Sequence, residues 1–285
     1  MISGTSIANK KIGGAVYLLP NLLTTGNLFW GFFSIIKSLQ GQFGWAASAV
    51  FLAAVFDVLD GRVARLTRST SEFGVQYDSL CDLVSFGLAP AVLMYQFGLK
   101  DMGRPGWIVC FVFLACGALR LARFNVQSSI GKASGDFVGL PIPMAAITIA
   151  SYISFLIEIF HNQSAEEKHF RTLLSSLLDF SILSTWALVF MGLILAIAMV
   201  SNFPYRSHKN FHFVGIKAFR VLALSVALIG LIAYQPEIFA FFITFFYALS
   251  GPVSWAMGWR KMTEDEEIFK TQDDSSMMEP SLDND

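Results

Sequence analysis

Long apolar runs constrain this chain more than any other feature of its sequence. A helix needs about 20 apolar residues to cross a hydrocarbon layer of about 30 Å. Eight segments meet that requirement, and they centre on residues 18–38, 43–66, 78–98, 105–124, 139–160, 182–202, 214–234 and 237–257. A lipid-exposed strand edge would leave backbone groups unpaired, so each segment is predicted to be a helix. The predicted fold class is therefore an all-α integral membrane protein with about eight transmembrane helices.

Composition and charge support this class and divide the chain into three parts. Hydrophobic residues make up 54% of the chain and charged residues 14%, which excludes an ordinary soluble globular domain. Residues 1–17 are predicted to be a cytoplasmic N-terminal segment and residues 18–258 a membrane-embedded domain. Residues 259–285 are acidic and poor in apolar residues, as is typical of a disordered cytoplasmic tail.

The distribution of basic residues predicts the orientation of the helices. With both termini in the cytoplasm, 15 of the 20 lysines and arginines fall on the cytoplasmic side. This arrangement satisfies the positive-inside rule and an even number of spans. The segment at 161–181 is then the largest external loop.

Four aspartates interrupt the second and third apolar segments close to the loop that joins them. Asp57 and Asp60 are three residues apart, and Asp78 and Asp82 are four apart, so each pair lies on one face of a helix. Two antiparallel helices joined by a short loop can bring all four carboxylates together. Such a group of like charges at a membrane boundary needs protons or cations to neutralise it. For a single aspartate, pairing with a nearby arginine at a helix end is an equally good explanation; for all four together it is not.

The chemistry of these side chains favours a phosphate-bearing ligand. Carboxylate oxygens suit hard cations such as Mg²⁺ or Mn²⁺ and argue against zinc. Gly61 and Ala64 lack bulk on the face that carries Asp57 and Asp60, so a nucleotide could approach the backbone there. Arg65 could then bind a phosphate oxygen.

The residues between 57 and 82 follow the pattern D-x2-D-G-x2-A-R-x8-G-x3-D-x3-D. This pattern resembles the signature of the CDP-alcohol phosphatidyltransferases, and every fixed position of that signature is present. The resemblance implies that family's helical bundle and a homodimeric membrane enzyme. It also implies a CDP-linked lipid that enters from the bilayer and an acceptor that arrives from the cytosol, with membrane lipids and no nucleic acid as partners.

The resemblance also assigns roles to individual residues. It implies that Asp57, Asp60 and Asp78 bind two divalent ions, Mg²⁺ or Mn²⁺, and that Asp82 contacts metal and acts as the general base. The residues implied to contact CDP-diacylglycerol are Gly61, Ala64, Arg65, Ser71, Gly74 and Asn21.

Further blocks look like the branch of the family whose acceptor is L-serine. These blocks are residues 20–24, 85–90, 119–125, 139–143 and 205–207. Serine has a carboxylate, which Arg120 and Arg123 could bind together with Asn125. Ordinary interfacial arginines are an open alternative. Pro141 and Pro143 either break a helix near the site or mark the start of one.

Three other functions remain open at this point. The acceptor could be choline, whose quaternary ammonium would favour an aromatic cage. A transporter would distribute its acids over two inverted repeats, whereas these acids cluster in one helix pair. A scaffold without catalytic activity would not need the complete signature. The resemblance favours an enzyme of the bacterial inner membrane whose active site faces the cytoplasm.

Overall fold

The computed structural model describes residues 6–67, 71–129, 137–161, 180–205 and 235–256. These residues form seven helices and one very short pair of antiparallel strands. The helices are α1 (Ser6–Leu39), α2 (Phe43–Leu66), α3 (Glu72–Met102), α4 (Arg104–Ser129), α5 (Ile142–His161), α6 (Phe180–Val200) and α7 (Pro236–Ala256). The strands are β1 (Phe137–Val138) and β2 (Pro204–Tyr205).

The helices have the length and composition of a membrane-embedded bundle. Five of them, namely α2, α3, α4, α6 and α7, are long and apolar enough to cross a bilayer, and α5 is apolar over the shorter stretch Ile142–Glu158. The all-helical membrane architecture agrees with the prediction, whereas eight spans are not confirmed. The predicted segment at 214–234 and the acidic tail at 259–285 lie outside the described residues.

Two helices begin well before their predicted segments. Helix α1 begins at Ser6, twelve residues before the predicted first span, and α3 begins at Glu72 instead of residue 78. The early start of α3 has a local cause. The extended residue Ser71 accepts a hydrogen bond on its hydroxyl from the Gly74 N–H at 3.0 Å, which caps the helix.

The strand pair joins the segment before α5 to the segment after α6. Gly139 has a φ of 83°, and a Cβ atom there would lie 2.6 Å from the Met199 carbonyl oxygen, so only glycine fits. The Pro141 carbonyl accepts from the Ala145 N–H at 3.1 Å, in the first turn of α5. The proline pair therefore marks the start of a helix.

Helices α1 and α2 bury their small and polar residues and expose their large ones. The buried stripe of α1 follows alternating spacings of four and three residues and consists of Pro20, Thr24, Asn27, Gly31, Ser34 and Ser38. The stripe of α2 has the same spacing and runs through Ala46, Val50, Ala53, Asp57 and Asp60. Small residues let membrane helices approach closely, and the Ser34 hydroxyl reaches the Ala46 carbonyl at 2.8 Å. The exposed face of α1 presents Leu22 and Phe29.

Helix α3 departs from α-helical geometry directly after Asp82. It is α-helical over Glu72–Asp82, π-helical over Leu83–Leu88, α-helical over Ala89–Met94, π-helical over Tyr95–Leu99 and ends in a 3₁₀ turn at Lys100–Met102. Within the first π-helical stretch, the Ser85 hydroxyl donates to the Asn27 carbonyl at 3.0 Å. One turn after Asn27, a Cβ atom on Gly31 would lie 2.6 Å from the Ser85 Cα. Gly31 therefore allows α1 to contact the backbone of α3.

This close approach predicts a selective effect of adding one methyl group. The Gly31→Ala substitution should destabilise the protein by about 1–3 kcal/mol, because the α1 and α3 backbones must separate to admit the methyl. The matched control is Gly44→Ala, since a Cβ atom on Gly44 meets nothing within 4 Å. Thermal unfolding in detergent measures both variants. Equal melting temperatures for the two would contradict the observed packing.

Candidate active site

Three aspartates from two helices form one compact group. Asp57 and Asp60 lie one turn apart on α2, and Asp78 lies in the second turn of α3. One carboxylate oxygen from each residue lies within 4.8 Å of the corresponding oxygens of the other two. Asp60 is buried, and the other two are half-buried. Cys81 is close in sequence, but this group contains only oxygen ligands.

The group contains buried oxygen atoms without a hydrogen-bond donor. Among the described residues, Asp60 Oδ2 and Asp78 Oδ1 are both buried and unpaired. An unpaired buried polar atom is unfavourable by about 1–3 kcal/mol, and more when it carries charge. Mutual repulsion between carboxylates this close adds to the penalty. A hard divalent cation among the three carboxylates would remove both penalties, so the donor set fits such an ion.

Asp82 lies beside this compact group without belonging to it. It lies one turn after Asp78 and is 8% exposed, and its Oδ1 accepts a hydrogen bond from Asn27 Nδ2 at 2.9 Å. Asp57, Asp78 and Asp60 are all close enough to interact with it electrostatically. The four carboxylates therefore converge as the sequence predicted. Three form a tight group, and the fourth, Asp82, is hydrogen-bonded to α1.

The residues after Asp60 lie on an open side of α2. A Cβ atom on Gly61 would meet nothing within 4 Å, which leaves room for a ligand against the helix. Ala64 is half-buried, and Arg65 is exposed in the last turn.

The start of α3 brings three of the other predicted residues together. The Ser71 hydroxyl caps the helix by accepting from the Gly74 N–H. Asn21 of α1 places its Oδ1 atom 3.5 Å from the position of a Cβ atom on Gly74. Nearby, the hydroxyls of Thr25 and Tyr77 are 3.0 Å apart and link the same two helices.

The predicted acceptor residues on α4 are not gathered at one point. Arg120 is half-buried, its Nε has no partner among the described residues, and Asp82 and Tyr247 lie close enough to interact with it electrostatically. Asn125 instead binds α3, accepting from the Ser79 hydroxyl at 3.1 Å and donating to Gln76 at 3.3 Å. Arg123 is half-buried. Of the three predicted acceptor residues, Arg120 is the one with an electrostatic interaction with Asp82.

Sequence reasoning missed Asn27 and Thr24. Asn27 is fully buried and binds Asp82, and Thr24 is 4% exposed with its hydroxyl beside Asp60. Both lie on the buried stripe of α1, where polar residues recur at spacings of three and four inside an apolar segment. That periodicity was the available signal, because polar residues within a membrane helix face the protein interior.

Comparison with known proteins shows similarity over most of the chain. The family model described as CDP-alcohol phosphatidyltransferase matches residues 17–198. A protein of Helicobacter pylori strain ATCC 700392 / 26695 named CDP-diacylglycerol–serine O-phosphatidyltransferase is 34% identical over 214 residues, covering 75% of this chain and 82% of its own length. A Methanocaldococcus jannaschii protein of the same name is 30% identical over 243 residues, covering 85% and 96%. The archaetidylserine synthase of Methanothermobacter thermautotrophicus is 43% identical over 146 residues, covering 50% and 60%.

The compact carboxylate group predicts a metal-dependent gain in stability. Mg²⁺ or Mn²⁺ at 100 times its dissociation constant should stabilise the folded protein by about 2.7 kcal/mol. The Asp60→Asn substitution should abolish that gain while leaving the metal-free protein at least as stable, because it removes one of the repelling charges. Thermal unfolding in detergent with and without the ion measures both effects.

The control is Asp101→Asn, which changes an exposed acid at the far end of α3. It should keep the full metal response. The interpretation of the three carboxylates is wrong if the Asp60→Asn variant responds to metal as strongly as this control.

Proposed function

This chain belongs to the CDP-alcohol phosphatidyltransferase family, and we propose that it transfers the phosphatidyl group of CDP-diacylglycerol to the hydroxyl of L-serine, forming phosphatidylserine and CMP. The observation that carries the proposal is the compact group of Asp57, Asp60 and Asp78, with Asp82 beside it. The names of the three relatives support serine as the acceptor, because serine is common to all of them.

The carboxylates of Asp57, Asp60 and Asp78 hold divalent metal, Mg²⁺ or Mn²⁺, and Asp82 borders the same site. The unpaired oxygens of Asp60 and Asp78 support this role. A bound pair of such ions would supply positive charge to the pyrophosphate, which is the main electrostatic requirement of phosphoryl-type transfer.

Asp82 is the general base. Its Oδ1 atom is occupied by Asn27, which leaves Oδ2 to accept the proton of the serine hydroxyl. The serine oxygen then attacks the phosphorus that bears diacylglycerol and forms the new P–O bond. The P–O bond to CMP breaks on the opposite side, and CMP leaves with the bonding electron pair.

The donor lipid lies along α2 and the start of α3. Open space beside Gly61 lets the nucleotide approach the helix, and the exposed Arg65 meets a phosphate oxygen. The residues proposed to contact CDP-diacylglycerol are Gly61, Ala64, Arg65, Ser71, Gly74 and Asn21. Ser71 has a second task, because its hydroxyl already caps α3.

Arg120 binds the carboxylate of serine. Its unpaired, buried Nε and its electrostatic proximity to Asp82 would place the acceptor's carboxylate and hydroxyl at the same site. Arg123 adds positive charge one turn further along α4. We propose Asn125 as a further contact of the acceptor, and its amide also bonds Ser79 and Gln76 of α3.

The charge distribution and the family support a proposal for the cellular setting. The protein is an integral membrane protein, and we place its membrane-embedded catalytic domain at 18–258 in the bacterial inner membrane as a homodimer. Most lysines and arginines would lie on the cytoplasmic side. The active site then faces the cytoplasm, from which serine enters and into which CMP is released.

A substrate assay on purified enzyme tests this function. With CDP-diacylglycerol and Mg²⁺ or Mn²⁺, radiolabelled L-serine should enter the lipid fraction with equimolar release of CMP, whereas choline should not. The Asp82→Asn substitution should lower kcat by about 10²- to 10⁴-fold, the usual contribution of a general base. The Asp101→Asn variant should keep the activity of the original protein.

Two results would contradict the proposal in different ways. Efficient incorporation of choline in place of serine would show that serine is not the acceptor, while the phosphatidyl transfer itself would stand. Undiminished CMP release by the Asp82→Asn variant would reject Asp82 as the base.

A further inference from the structure

We infer that Asn27 is a positioning residue for the transfer reaction: its side-chain amide fixes the carboxylate of Asp82 in the orientation that accepts the acceptor's proton. The inference rests on the proposed function, because it assumes that Asp82 is the base. It adds a residue from α1, outside the signature at 57–82, to the residues that determine kcat.

The contact itself is short and buried. Asn27 is 0% exposed and Asp82 is 8% exposed, and the amide Nδ2 lies 2.9 Å from Oδ1 of the carboxylate. The terminal torsion of an aspartate has no sharp preference, so a carboxylate without a fixed donor rotates over a wide range. A hydrogen bond to one oxygen restricts this rotation. The other oxygen then has fewer directions open to it.

The position of Asn27 is fixed in turn by the backbone. Its carbonyl accepts from the Ser85 hydroxyl at 3.0 Å, and Gly31, one turn later, lets α1 approach the Ser85 backbone. Asp82 immediately precedes the π-helical stretch Leu83–Leu88 that carries Ser85. Asn27 lies on α1 and Asp82 on α3. The Ser85–Asn27 hydrogen bond and the close approach at Gly31 fix these two helices against each other next to the Asn27–Asp82 bond.

The amide of Asn27 is poorly suited to a purely structural task. Its Oδ1 is buried and has no partner among the described residues. An asparagine that only joined two helices would be expected to satisfy both ends of its amide, because an unpaired buried carbonyl is destabilising. The one side-chain hydrogen bond that Asn27 makes in the described part of the chain is the bond to Asp82.

The carboxylates around Asp82 explain why such an anchor is needed. Asp57, Asp78 and Asp60 are all near enough to interact with it electrostatically, and so is Arg120. Cations held by the compact group would attract the Asp82 carboxylate, as would Arg120 from α4. A neutral donor on the α1 side fixes Asp82 without adding charge.

The kinetic test replaces Asn27 with the apolar residue of similar shape, as Asn27→Leu. Its kcat for serine transfer should fall roughly 10- to 100-fold, the size of effect that misplacement of a catalytic group produces. The KM values for CDP-diacylglycerol and serine should change less than about threefold, and the metal-induced rise in melting temperature should persist. The matched control is Ser34→Ala, which removes another buried interhelical bond of α1 without touching a carboxylate. It should keep the original kcat.

A second measurement does not depend on activity. Melting temperatures of Asn27→Leu, Asp82→Leu and the double variant form a thermodynamic cycle. The double variant should lose clearly less than the sum of the two single losses, because each single change leaves one buried polar partner unpaired. Additive losses would overturn the inference, as would an unchanged kcat in Asn27→Leu or an equal fall of kcat in Ser34→Ala.

These outcomes separate the inference from the proposed function. If the original protein transfers nothing to serine, the proposed function fails, and the cycle still decides whether Asn27 holds Asp82. If serine transfer is normal and the cycle is additive, only the role of Asn27 fails.

Discussion

Repulsion between like-charged carboxylates that are buried or half-buried between two helices governs the chemistry of this bundle. Oxygens of Asp57, Asp60 and Asp78 lie within 4.8 Å of one another, and Asp82 lies beside them. Such a group is unfavourable in a medium of low dielectric constant unless cations compensate its charge. Helices α2 and α3 together hold the three carboxylates in this arrangement.

The scaffold that carries the acids depends on small residues. Alanines of α2 continue in register into Asp57 and Asp60, so the stripe that packs against α1 also delivers the carboxylates. On α1 the matching stripe contains Thr24, Asn27 and Gly31. The packing stripes and the carboxylates thus share one helix interface. Lipid provides no hydrophobic driving force between helices. Close approach of the helices and hydrogen bonds between them, such as Ser34 to Ala46, hold α1 and α2 together instead.

The sequence predicted part of this arrangement well, for identifiable reasons. The second predicted segment matches Phe43–Leu66, because its apolar run ends in charged residues. The convergence of the acids followed from spacings of three and four residues on two adjacent helices. Asn27 was not predicted, because its partner Asp82 is 55 residues away and only the tertiary packing of α1 on α3 brings them together. The acceptor residues were predicted as one set because they are close in sequence, yet Arg120 and Asn125 have different neighbours in the structure.

Asp57, Asp60 and Asp78 are proposed to hold a divalent cation together. Anomalous diffraction at the manganese edge, from crystals grown with Mn²⁺ and the CDP-linked lipid, tests it most directly. We expect a peak among these three carboxylates, with metal–oxygen distances of about 2.1 Å, typical of a hard octahedral ion. A peak elsewhere in the chain, or none at these side chains when Mn²⁺ supports full activity, would show that the three aspartates do not hold the ion.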